Sequence, residues 1–163
     1  MAKLALNKSS LARESAHLSE YKRFLPSLEL KRLQIMAERA KAKETALRLD
    51  AEYERRFDEI AKSLPMLANE QVPVEGIVTL KSVERGEQNL SGTRLPTLEN
   101  IEVDVKSYSL LARPHWVDPA VNGLKELLKL NLEREVARER IEKLLEAEAV
   151  ISRRVNLFER CSS

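Results

Sequence analysis

Leu4, Leu11, Leu18 and Leu25 fall seven apart in a stretch that has no glycine between Ala2 and Leu64. As that row ends, a second begins with Tyr21, Leu28, Ile35, Ala42 and Leu49, and a third joins it with Leu33, Ala40 and Leu47. A sevenfold apolar repeat keeps a narrow seam on one side of a helix and favours a left-handed supercoil with a partner helix. Tyr53, Phe57, Ile60 and Leu64 carry the stripe to Pro65. The changeover between rows coincides with Pro26. That residue lacks a backbone donor and crowds the preceding turn, so the pattern predicts either a bend or a break into two helices there.

The pattern changes between Pro65 and Gly123. All four glycines and five of the six prolines lie in this stretch. Ile77 to Val83 is rich in β-branched residues, and Ile101 to Tyr108 alternates apolar with polar positions, as a half-buried strand does. Gly86, Asn89, Gly92 and Pro96 are turn formers lying between the two runs, which predicts a β-hairpin with a long, irregular connection. Trp116, between Pro114 and Pro119, is expected to pack the hairpin onto a helix. From Asp118 the helical period returns. Asp118 is a candidate N-cap, with Pro119 at the first helical position. Leu130, Ala137, Leu144, Ile151 and Phe158 form a new sevenfold seam, and Leu127, Ile141 and Val155 form the row beside it, interrupted by Arg134 and Glu148.

A helix of about 60 residues must cover its apolar seam. The second long helix, returned antiparallel by the middle segment, is the available partner. The predicted fold is mainly α: a long antiparallel two-helix coiled coil with a small β-hairpin in the middle. It divides into an N-terminal helix (1–64), a hairpin and loop segment (65–117) and a C-terminal helix (118–163), all one structural unit. If Leu64 lies opposite Asp118, Ser163 falls opposite roughly residue 19. The first eighteen or so residues, about 27 Å of helix, then lack a partner within the chain.

Composition narrows the function. The chain has 163 residues, one-third of them charged, with 28 Lys plus Arg against 26 Asp plus Glu, and only 4% aromatic residues. Balanced charge argues against nucleic acid as the main partner, because basic doublets such as Lys31-Arg32 and Arg55-Arg56 alternate with acids along solvated helix faces. No run of about 18 apolar residues crosses a membrane, and the N-terminus is too polar for a secretory signal. Cys161 is alone, so no internal disulfide forms, and a reducing compartment follows. There is no phosphate-binding glycine loop and no nucleophile elbow. Glu139, Glu142 and Glu146 could converge on a metal, but carboxylates on a solvated helix face are the simpler reading. No catalytic, cofactor-binding or metal-ligating residues are assigned. A long stiff helix pair is suited to spanning, bracing or transmitting force.

Four stretches resemble a known family. LALNKSSLARE (4–14) is similar to its opening helix, YKRFLPSLELKRLQ (21–34) resembles its bacterial branch with a Leu-Pro step, QNLSGTRLPTL (88–98) resembles its hairpin connection, and RRVNLFE (153–159) is the most specific match. The family is the D subunit of bacterial V/A-type ATPases and ATP synthases, the central rotor stalk. The resemblance implies a non-catalytic rotor that couples ATP hydrolysis or synthesis to proton or sodium transport. Its partners would be the catalytic A and B subunits, a small F subunit and a membrane-side socket subunit. It would lie in the cytoplasm, peripheral to the inner membrane and without inserting into it. Candidate partner contacts are Leu4, Leu11, Arg153, Arg154, Asn156 and Trp116, with the hairpin end toward the membrane. Family members usually continue for several helical turns beyond RRVNLFE, so a shortened or frame-altered C-terminus is expected. A coiled-coil adaptor with no rotary role is the alternative that periodicity alone leaves open.

Overall fold

The computed structural model describes residues 8–65, 78–106 and 117–162. Four elements follow in order: α1 (Lys8–Ser63), β1 (Val78–Leu90), β2 (Thr93–Val105) and α2 (Val117–Ser162). At 1.5 Å per residue, α1 is about 84 Å long and α2 about 69 Å. Helix α1 runs unbroken through Pro26. Helix α2 already includes Val117, so Asp118 stands in its first turn, where a carboxylate favours the helix dipole. Pro119 falls where no intrahelical donor is needed.

The two helices run antiparallel, and their register is fixed by side chains along the whole overlap. Tyr21 meets Phe158 with ring centroids 4.9 Å apart. Farther along α1, Arg39 pairs with Glu148 at 2.6 Å, Asp50 with Arg134 at 2.5 Å, and Arg56 reaches Glu126. Near the loop end, Gly123 brings the backbones together, because a Cβ there would lie 2.8 Å from Ile60 Cδ1. The apolar seam is the one the heptads specify. Ile35, Ala42 and Leu49 of α1 and Ala137, Leu144, Ile151 and Val155 of α2 are buried, Leu144 and Val155 completely. The row Leu33, Ala40, Leu47 is not part of it: Leu33 and Leu47 are 59% and 71% exposed. Sevenfold spacing shows that residues share a face, but not that a partner covers it. One partner buries only a narrow stripe.

The hairpin departs from the sequence expectation in two ways. First, its connection is short. β1 and β2 pair antiparallel from Val78–Val105 to Leu90–Thr93, with register shifts between Leu80 and Ser82 and between Glu84 and Arg85. Gly86 and Pro96 therefore lie inside strands. Only Ser91 and Gly92 form the turn, both with positive φ (50° and 89°). This is the two-residue turn whose twist matches a hairpin, and the Gly92 amide donates to Asn89 Oδ1 at 2.9 Å. The bulges absorb the glycine-rich stretch without ending the pairing. Second, the hairpin does not form an end of the rod, as a hairpin end toward the membrane would require; it folds back along the helices. Leu95, fully buried, joins Ile35, Ala42, Leu144 and Ile151 in one cluster, with Leu90 packed against it. Arg140 of α2 ties the layers together, donating to the Pro96 carbonyl at 3.0 Å and to Gln88 Oε1 at 3.1 Å, and meeting Glu38 of α1 at 3.4 Å. At the turn, Ser91 Oγ donates to Gln34 Oε1 at 2.7 Å. A second cluster of Ile60, Leu64, Ala120 and Leu127 closes the loop end of the helix pair. The strand run expected at Ile77 and at Ser107–Tyr108, and the packing expected of Trp116, lie outside the described residues.

Leu144→Ala and Leu95→Ala should each cost about 2–5 kcal/mol by denaturant unfolding, whereas Leu47→Ala should stay within about 0.5 kcal/mol.

Candidate interaction surfaces

The long overlap of α1 and α2 leaves little concave surface, and what stands out instead are the polar breaks in the seam and the exposed ends. The interruptions at Arg134 and Glu148 are cross-helix ion pairs. Arg134 lies 4.3 Å from the Tyr53 ring centroid and donates to Asp50 Oδ1, which Arg138 also reaches at 3.1 Å. The hydrogen bond from Arg134 is the main reason the Asp50 carboxyl is held below its ordinary value; partial desolvation opposes it without reversing it. Toward the loop end, the hydrogen bond from Arg56 likewise lowers Glu59. Arg56 itself is raised by its bonds to Glu59 and Glu126. These groups form a chain of mutually compensated charges along the outside of the seam.

Among the described residues, no three His, Cys, Asp or Glu side chains are grouped to hold a metal ion. Glu139 is engaged by Arg85 of β1 at 3.0 Å and by Lys143 at 4.0 Å. Among the described residues, no helix is long and apolar enough to cross a membrane.

The residues expected to contact partners are dispersed. Leu11 is exposed on α1, and Arg153, Arg154 and Asn156 are exposed near the end of α2. Arg153 folds onto its own helix, donating from Nε to the Ala149 carbonyl at 3.2 Å. Leu11 is ten residues before Tyr21, hence about 15 Å along the axis from the Tyr21–Phe158 contact. It is not brought together with the α2 group. Leu4 and Trp116 lie outside the described residues. Sequence reasoning did not anticipate that the hairpin turn would stand beside Arg154. Ser91, Gly92 and Thr93 share a cleft of about 320 Å³ with Lys31, Ile151 and Arg154. The available signal was the Ser-Gly pair between two alternating runs, which favours a tight turn and hence strands long enough to reach that far.

Comparison with known proteins decides the family. The family model for the D subunit of ATP synthase matches residues 10–161. The chain belongs to this ATP synthase D-subunit family. The V-type ATP synthase D subunit of Borreliella burgdorferi is 30% identical over 160 residues, covering 98% of this chain and 79% of the relative. The namesake proteins of Chlamydia pneumoniae and Chlamydia abortus are 31% and 32% identical, covering 95% and 98% of this chain and 75% and 77% of their own lengths. The match runs through both helices and the hairpin. The family relationship therefore applies to the whole described architecture.

In a D-subunit family member built this way, acid should weaken the helix pair through its lowered carboxylates. Asp50 has a lower pKa folded than unfolded, so its contribution is present above the unfolded value near 3.8 and is lost as pH falls through the folded value. Asp50→Asn should lower stability at pH 7 and narrow the gap between denaturation midpoints measured at pH 7 and pH 3.

Proposed function

We propose that this chain is the central-stalk rotor of a V/A-type ATPase or ATP synthase, coupling ATP hydrolysis or synthesis in a catalytic hexamer to proton or sodium transport. The observation that carries the reading is a continuous antiparallel helix pair, sealed by one apolar seam and cross-braced by ion pairs, in a chain of the D-subunit family. A rod can transmit torque only if its two helices neither separate nor slide, and this arrangement resists both. The chain contributes no chemistry of its own. Catalysis belongs to the A and B subunits, and a small F subunit and a membrane-side socket subunit complete the partners. The complex places the chain in the cytoplasm, peripheral to the inner membrane.

Rotation needs a rod whose sides differ, and the hairpin supplies such a difference. It covers one side of the pair through Gln34, Glu38 and Arg140, while Leu33 and Leu47 face outward uncovered. As the rod turns, each catalytic site meets a different side, and each contact acts through its differential affinity for open and closed states. A tenfold bias of one site requires only about 1.4 kcal/mol. The contacts on the ring are assigned to Leu4, Leu11, Arg153, Arg154 and Asn156. The loop end, near Leu64 and Val117, faces the socket, with Trp116 as a candidate contact there.

Co-expression with the V-type A and B subunits of the same genome tests this. The chain should co-elute with them as one complex and raise its ATPase rate. An A–B complex that forms and turns over identically with the chain left free would instead favour the adaptor.

A further inference from the structure

We infer that the end of the rod where the hairpin turn meets both helices is a docking seat for an apolar protein surface carrying carboxylates, with Lys31 and Arg154 as its anchoring cations. The inference rests on the rotor reading and deepens it by giving the chemistry of the partner surface that the seat accepts.

The arginines are not matched evenly along the rod. Through the middle and toward the loop end the described arginines other than Arg48 meet carboxylates, among them Arg39 with Glu148, Arg85 with Glu139, Arg134 and Arg138 with Asp50, and Arg140 with Glu38. The other end differs. Across 8–32 and 149–162 there are nine lysines and arginines against four glutamates. Among the described residues, neither Lys31 nor Arg154 has a carboxylate partner. Beside Lys31, the Arg32 Nε is buried without an acceptor. A buried donor left unpaired is costly, so an acceptor from outside the chain would be stabilising.

The same end exposes Phe24, Leu30, Val150 and Leu157. Unmatched cations interleaved with exposed apolar side chains fit a protein surface with carboxylates around an apolar centre. They fit nucleic acid poorly. A phosphate backbone offers nothing to the leucines, and Phe24 is the one exposed aromatic ring among these residues. A second copy of the chain would bring the same excess of cations and be repelled. The cleft at the turn gives the seat its shape. Lys31 from α1 and Arg154 from α2 stand on its two sides, with the Ser91–Gly92 turn as one wall and Ile35 and Ile151 lining it. A carboxylate entering between two cations on an apolar floor is desolvated as it pairs, the circumstance in which a charge pair contributes most to binding.

The test uses the full chain and the A–B catalytic complex reconstituted from the same genome. Lys31→Glu combined with Arg154→Glu should weaken binding by about tenfold or more and flatten its salt dependence. Lys62→Glu combined with Lys129→Glu, the same charge change at the opposite end, should leave binding within about twofold. All four side chains are on the surface, so circular dichroism should report unchanged helix content. If the wild type binds and the Lys31–Arg154 variant binds equally well, the seat is wrong and the rotor reading survives. Equal losses in both variants would mean attraction by net charge rather than a seat. Tighter binding of a 30-nucleotide single-stranded RNA than of the A–B complex would also overturn the seat. No binding of the wild type would overturn the rotor reading, and the seat with it.

Discussion

The structure depends on the burial of one apolar stripe of α1 against one of α2. Neither helix is apolar enough to be stable alone at this length, and their exposed faces carry only weak, screened charge pairs. Removing Ile35, Ala42 and Leu49 from water against Leu144, Ile151 and Ala137 is what makes two long amphipathic helices into a single rod. The hairpin depends on the same surface. Leu95 is buried because the helix pair offers it a site beside Ile35 and Leu144, and the ladder between β1 and β2 then needs no further sheet to persist. An isolated two-stranded ribbon would be marginal in water.

Apolar heptads alone would allow the helices to slide by seven residues and repack. The polar breaks remove that freedom. At the present register Asp50 meets Arg134 and Glu148 meets Arg39. Moving α2 one heptad toward the start of α1 would set Glu148 against Arg32, which keeps that pair, but Arg134 against Lys43 and Asp50 against Leu127; moving it the other way would set Glu148 against Ala46 and Asp50 against Ile141. Only the present register pairs both polar breaks, in the way a polar position fixes the register of a coiled coil. The proposed rotor role needs this property more than it needs a larger core.

Much of this was legible in the residues. The heptads of Ile35, Ala42 and Leu49 and of Ala137, Leu144 and Ile151 identified the seam, and the arm lengths set Ser163 opposite roughly residue 19, close to the register that the Tyr21–Phe158 contact shows. Four short stretches identified the family, and the family match and the relatives bear this out. What was not legible has physical causes. Leu33 and Leu47 repeat every seven residues like the true seam, and only the partner's position tells the two faces apart. Gly86 and Pro96 are turn formers by propensity, but bulges and the Leu95 contact hold them inside strands. That the hairpin lies back along the rod follows from Arg140, Leu95 and Ser91 acting together at distant positions in sequence, and no local pattern encodes that. Of the expected contact residues, Leu11, Arg153, Arg154 and Asn156 are exposed.

The antiparallel register is the claim on which shaft, hairpin and docking seat all depend, and pairwise distances between spin labels measure it directly. In a Cys161→Ser background, labels at positions 43 and 142, and separately at 62 and 122, should both report short separations, set by helix axes about 8–10 Å apart. Labels at 62 and 156 should be about 50 Å apart, the rise of the intervening helix. Long separations in the first two pairs, or a short one in the third, would contradict the account.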